Sequence, residues 1–140
     1  MLTEKNHEKI VDDCIARLNL DAPPAQLAHI FNELVGALWM RSSRTLSEVT
    51  LDAIFERALS LSKEQYPILD SFTLDHQGRR FKRFLIHAEG TGQPQQLVQA
   101  FRYFLVTVLT LFGNLTADIL LSGLYQELQS FEPEQKEKLA

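Results

Sequence analysis

The chain has 140 residues, of which 45% are hydrophobic and 23% charged, and its formal net charge at pH 7 is −4. This composition is typical of one globular domain spanning residues 1–140, with a charged tail at 132–140 that we expect to be frayed. The acidic balance argues against nucleic-acid binding, and the single cysteine excludes an intramolecular disulfide and a cysteine-based zinc cluster.

The first predicted helix runs from Thr3 to Leu18, and no apolar leader precedes it, so we expect a cytoplasmic protein. Its apolar residues recur at helical spacing. They are Ile10, Val11, Cys14, Ile15 and Leu18. Cys14 is interpreted as a small buried hydrophobe. His7 shares the apolar face and is interpreted as a first-turn residue at a frayed helix start, rather than as a ligand or a titrating switch.

The second helix is predicted to begin at Pro23-Pro24, since proline at the first helical position costs no hydrogen bond, and to end near Met40. Its core face comprises Leu27, Ile30, Phe31, Leu34, Val35 and Leu38. The polar turn Arg41-Ser42-Ser43-Arg44 lacks the glycines of a phosphate loop and is interpreted as a plain connection. Thr45-Leu46-Ser47-Glu48 matches a capping box and predicts a third helix, which ends by Tyr66 because Pro67 follows.

Residues 68–92 permit two interpretations. Phe81, Phe84, Leu85 and Ala88 recur at i, i+3, i+4 and i+7, which favours a helix. The alternative is one short β-hairpin around 72–87, which would make the fold α+β. Four basic residues lie beside two aromatic residues here. They predict docking to an acidic partner, a phosphate-bearing ligand or an anionic membrane surface, unless they are a solvated helix face. The four are Arg79, Arg80, Lys82 and Arg83.

Residues 95–131 are the most apolar part of the chain and are predicted to form two amphipathic helices joined at Gly113-Asn114. The short break favours an antiparallel hairpin, and the alternative is one continuous, kinked helix. The first of them is apolar over about half of its circumference, wider than the usual stripe of about 100°. Because one neighbouring layer covers only part of such an arc, we expect a homodimer. The predicted interface comprises Val98, Leu105, Leu109 and Phe112. No membrane span is expected, because the break and the amphipathic pattern interrupt the apolar run.

The same stretch could instead line an apolar pocket for a small molecule. The candidate lining residues are Phe101, Phe104, Leu120 and Leu124. The four histidines have no metal-ligand spacing, and no nucleophile has a base at fixed spacing, so we predict no catalytic residue, no metal site and no cofactor.

The sequence therefore predicts a mainly α fold, a compact bundle of five to six helices that ends in an amphipathic helical hairpin. The expected function is that of a non-enzymatic regulatory or sensory domain acting through protein contacts and homodimerisation. Two alternatives stay open. One is a small acidic adaptor or secretion-type chaperone that binds a partner segment, and the other is a small-molecule-binding domain with the apolar pocket.

Overall fold

The computed structural model describes residues 4–18, 24–69, 74–75, 80–81, 94–116 and 121–132. These residues form five α-helices: α1 Glu4–Leu18, α2 Pro24–Ser42, α3 Glu48–Gln65, α4 Pro94–Thr116 and α5 Leu121–Ser130. A 3-10 turn, Pro67–Leu69, follows α3, and two strands of two residues each, β1 Leu74–Asp75 and β2 Arg80–Phe81, pair antiparallel. The predicted mainly α helical bundle is confirmed.

The long helix α4 lies at the centre of the bundle. It contacts α1, α2, α3, α5 and the 3-10 turn, so neighbours surround it on several sides. Its wide apolar arc is consequently covered by its own chain. The buried residues on α4 are Leu97, Ala100, Phe101, Phe104, Leu105, Val106, Val108, Leu109 and Phe112. Four helices and the 3-10 turn cover the apolar arc of α4, for which the sequence predicts cover by a second chain.

The stretch Gln95–Leu115 of α4 is long and apolar enough to cross a membrane by length and composition. The core helix of a helical bundle passes the same test, and 56% of the relevant window is buried inside this one. Length and hydropathy therefore identify α4 as the most apolar helix without showing where the protein resides.

Aromatic rings fill the space between α2, α3 and α4. Phe31 of α2 stacks on Phe101 of α4 with ring centroids 4.0 Å apart, and Phe101 meets Phe104 edge-on at 6.1 Å. Phe55 of α3 lies 6.4 Å from Phe104 and 6.0 Å from Phe112. Such offset and edge-to-face pairs each add roughly 0.5–1.5 kcal/mol beyond the area they bury.

These ring contacts also fix the helix directions. Phe55, in the first half of α3, meets Phe112 near the end of α4, whereas Tyr66, just after α3, lies 5.7 Å from Tyr103 in the first half of α4. The helices α3 and α4 are therefore antiparallel. The end of α2, the start of α3 and the end of α4 lie together at one end of the bundle, because a turn of only residues 43–47 joins α2 to α3.

The start of α3 differs from the predicted capping box. Ser47 is the N-cap residue, with an extended backbone, and its hydroxyl accepts a hydrogen bond from the backbone N–H of Thr50 at 3.2 Å. The helix therefore begins at Glu48 rather than after Thr45. Both arrangements satisfy an N-terminal N–H group, and the sequence offered hydroxyl residues at both positions.

The predicted break at Gly113-Asn114 is wrong, because α4 continues through both residues to Thr116. A glycine inside a helix costs about 1 kcal/mol relative to alanine. Burial of Phe112, which is fully enclosed, offsets a cost of that size. The next described helix, α5, packs on α1 and α2 as well as on α4.

The helix favoured for the basic region is contradicted at two positions. Arg80 and Phe81 are extended in β2, with Phe81 opposite Leu74 and Arg80 opposite Asp75 in β1. The pair lies inside the range of the alternative β-hairpin, and β2 runs beside α2. Backbone pairing here overrides the helical spacing of the phenylalanines. Residues 82–93 lie outside the described residues.

Helix α1 is tied to both C-terminal helices. His7 is only 5% exposed, and its Nδ1 lies 2.6 Å from the hydroxyl of Tyr125 on α5. The expectation of a frayed first-turn histidine is therefore wrong. Arg17 donates a hydrogen bond to the carbonyl of Leu128 on α5, and Arg102 on α4 donates to Asp12. Periodicity placed His7 on the inner face, but its partner on α5 is distant in sequence.

Candidate functional site

A polar pocket lies where the α2–α3 turn meets the first turn of α5. Its volume is about 300 Å³. The lining residues are Arg41, Ser42, Arg44, Thr45, Ser122, Gly123 and Leu124. Two segments far apart in sequence therefore contribute two guanidinium groups and three hydroxyl groups to one concave surface.

Arg41 spans from α2 to α5. One terminal nitrogen donates a hydrogen bond to Oε1 of Gln126 at 3.1 Å, and the other lies 3.5 Å from a carboxylate oxygen of Glu127. The guanidinium passes over Gly123, where an added Cβ atom would lie 3.1 Å from its Nε. Glycine at this position therefore permits the close approach of the Arg41 side chain to α5.

Arg44 differs from Arg41 in its surroundings. It is exposed on the turn between α2 and α3, and within the described part of the chain it has no ion pair or hydrogen bond. Ser42 is buried, and its hydroxyl donates to the carbonyl of Leu38 at 2.8 Å, which leaves its oxygen lone pairs available as acceptors. The pocket thus holds one anchored and one accessible guanidinium.

The pocket has the chemistry of an anion site. Arg41 and Arg44 place two guanidinium groups at the pocket wall, and guanidinium groups bind anions through charge-assisted hydrogen bonds. The carboxylate of Glu127 is the opposing charge nearest to Arg41 among the described residues. The local sequence Arg41-Ser42-Ser43-Arg44 predicts only a plain turn, because it lacks the glycines of a phosphate loop. Nothing in the local sequence shows that Ser122 and Gly123 lie beside it.

Three large apolar side chains are exposed at this same end of the bundle. Met40 near the end of α2 is 61% exposed, Val49 at the start of α3 is 79% exposed, and Leu115 near the end of α4 is 64% exposed. Single exposed apolar residues are common on protein surfaces. The placement of all three at one end of the bundle makes this end a candidate contact surface.

The residues predicted for a dimer interface lie elsewhere. Leu105, Leu109 and Phe112 have no exposed surface within one chain, and only Val98 is partly exposed. The first three side chains belong to the core, because α4 is enclosed by the other helices. They do not form a surface that a second copy can reach in this structure, so a homodimer requires other residues.

The residues predicted for an apolar pocket are also core residues. Phe101, Phe104 and Leu124 are each 1% exposed, and the two rings pack against each other and against Phe31 and Phe55. Neighbouring rings therefore occupy the space around them. Leu124 borders the polar pocket instead, and Leu120 lies outside the described residues.

The basic docking surface is described only in part. Arg80 lies in β2, whereas Arg79, Lys82 and Arg83 fall outside the described residues. A docking role for these four residues therefore stays a prediction.

The titratable groups elsewhere form no reactive cluster within the described ranges. Burial raises the pKa of the Cys14 thiol, which Arg17 lowers in part, so Cys14 is a protonated core residue at neutral pH. His29 lies 3.6 Å from Glu33, one turn later on α2, which is the spacing of a surface i,i+4 pair. Across the part of the chain that the structure describes, no three histidine, cysteine or acidic side chains are grouped as metal ligands.

Comparison of the chain with protein-family models, with curated proteins and with solved structures found no match.

Proposed function

We propose that the protein is a non-enzymatic regulatory or sensory domain that acts through contacts with other protein chains, including a second copy of itself. The observation that carries this proposal is the exposure of Met40, Val49 and Leu115 at one end of the bundle. Within the described residues, the large side chains of the interior are almost completely enclosed, whereas these three large apolar side chains are exposed.

The amount of apolar surface indicates a transient contact. Burying one such side chain contributes about 1.5–3 kcal/mol to the free energy of association. Three contribute roughly 5–9 kcal/mol before the entropy cost of association is subtracted. Association costs about 4–15 kcal/mol in lost rigid-body freedom. The three residues alone therefore support weak association, which suits a reversible regulatory contact. A tight complex needs further contacts from the partner.

The proposal is tested with a variant in which Met40, Val49 and Leu115 are all changed to serine. All three side chains are mostly exposed, so the fold is expected to survive. Light scattering behind size exclusion at rising protein concentration should show self-association for the wild type and less for the variant. A matched control changes three exposed glutamines to serine, namely Gln26, Gln99 and Gln129.

Equal self-association of the triple variant and the wild type would contradict the proposed surface. A wild type that stays a 16 kDa species at high concentration, and that retains no partner protein through the apolar end, would contradict the proposed function itself. A single stoichiometric partner lost in the triple variant would support a contact with another protein rather than with a second copy.

A further inference from the structure

We infer that the pocket between the α2–α3 turn and α5 binds a phosphate monoester group, with Arg41 and Arg44 as its two cationic contacts. The inference goes beyond the proposed function and does not depend on it, because it concerns a polar pocket rather than the exposed apolar side chains. It rests on the joint placement of the two arginines, the neighbouring hydroxyls and a cavity.

The two arginines supply charge and directed donors from one short segment. A guanidinium presents five N–H donors in a planar fork that matches phosphate oxygens, and such charge-assisted bonds are stronger than neutral ones. Arg41 uses two terminal nitrogens on Gln126 and Glu127, which leaves further N–H groups for a ligand. Arg44 has all of its donors available among the described contacts.

Arg41 is held in place before any ligand binds. Its contacts with Gln126 and Glu127 and its passage over Gly123 fix the guanidinium at the pocket wall. A side chain that is already ordered loses less conformational entropy when it binds. The carboxylate of Glu127 stays paired with Arg41 and offsets part of its charge, so the ligand binds the N–H groups of Arg41 that Glu127 and Gln126 leave free.

The size and lining of the pocket restrict the ligand. About 300 Å³ is at the lower end of the range for small-molecule sites, so the pocket accommodates a phosphate with a small substituent. The hydroxyls of Thr45 and Ser122 add neutral donors beside the arginines. Two sources have this chemistry, a free phosphorylated small molecule and a phosphorylated side chain of a partner protein.

The test is a phosphorus NMR titration of the full chain with phenyl phosphate, with inorganic phosphate and with a short phosphoserine peptide. We expect saturable binding of at least one probe. In Arg44→Gln, binding should be about ten-fold weaker or worse, as expected for loss of a charge-assisted contact. Arg57→Gln is the matched control, because Arg57 is exposed on α3 and does not line the pocket.

Arg41→Gln should weaken binding to a similar degree, and circular dichroism checks that this variant is folded. If Arg41→Gln does not fold, Arg44→Gln alone tests the inference. Tighter binding of the two small probes identifies a free ligand, and tighter binding of the peptide identifies a phosphorylated partner. Absence of saturable binding at millimolar probe, or equal binding by wild type and Arg44→Gln, would overturn the inference. Self-association should be unchanged in Arg44→Gln. A loss of phosphate binding in this variant is therefore distinct from a failure of the proposed protein contact.

Discussion

Two glycines inside helices show how a single residue depends on its neighbours. Gly123 in α5 lies under the Arg41 guanidinium, so an added methyl group would meet it at 3.1 Å. Gly36 lies in the middle of α2, and no described atom outside its own helix is within 4 Å of the position of its missing Cβ. The same residue type is therefore required by packing at one position and not at the other.

Gly36→Ala is expected to stabilise the protein by about 0.5–1 kcal/mol, because alanine restricts the unfolded chain and favours the helix. Urea denaturation followed by circular dichroism measures the change. Gly123→Ala serves as the comparison, and its gain should be smaller or reversed because Arg41 must move. A destabilising Gly36→Ala would show that a further group packs at this position.

Cys14 gives a prediction about reactivity and pH. Because burial raises its pKa in the folded protein, the folded state holds the thiol proton more firmly than the unfolded chain does. This contribution to stability is fully present below the ordinary thiol pKa of about 8.5 and is lost as the pH rises above it. A thiol reagent should label native Cys14 slowly at neutral pH and rapidly in denaturant. Rapid labelling of the native protein would contradict its burial.

Between elements, the contact of α1 with α4 depends partly on one arginine. Arg102 donates from Nε to Oδ1 of Asp12 at 2.6 Å and from a terminal nitrogen to Oδ2 at 3.1 Å, and it lies 3.5 Å from Glu8. The hydrogen bond to Asp12 is the main cause that raises the pKa of Arg102. All three side chains are more than a third exposed, so solvent screens much of the attraction.

Arg102→Met should therefore destabilise the protein by only about 0.5–1 kcal/mol, and the difference should shrink in about 1 M salt. Chemical denaturation at low and high salt tests both statements. Lys9→Met is the control, because the Lys9–Asp13 pair joins exposed residues of α1 alone and should have little effect. A loss much larger than about 1 kcal/mol would show that the network around Arg102 is coupled to the core.

At the level of the whole molecule, the central position of α4 decides which surfaces remain for partners. Leu105 has no exposed area, whereas Val98 on the same helix is partly exposed. Both residues belong to the predicted dimer interface. The structure distinguishes them, because the other helices enclose Leu105 and leave Val98 partly exposed.

Leu105→Asp is expected to unfold the protein rather than to yield a folded monomer. A buried unpaired carboxylate costs several kcal/mol, a large part of a typical stability of about 5–15 kcal/mol. Val98→Asp should stay folded, because its carboxylate can reach water. Thermal unfolding and circular dichroism distinguish the two variants. A folded, monomeric Leu105→Asp would restore the predicted interface.

Local patterns in the sequence predict the first three helices and most of their inner faces. Apolar spacing predicted α1, α2 and α3, and the predicted core face of α2 is buried throughout. Proline marks the end of α3, which ends at Gln65, shortly before Pro67. These features follow from local geometry, because helical periodicity and the restrictions of proline act within a few residues.

Contacts between distant elements determine which helix covers which apolar face. The wide apolar arc on α4 indicates that many of its side chains must be buried. The same arc suits a central helix and a helix at a dimer interface equally well. The candidate pocket depends on the same choice, since Gly123 meets Arg41 only because α5 returns across α2. The sequence places Arg41 and Arg44 on one short segment, which forms one side of the pocket. The other side comes from contacts between residues distant along the chain, and no local spacing encodes those contacts.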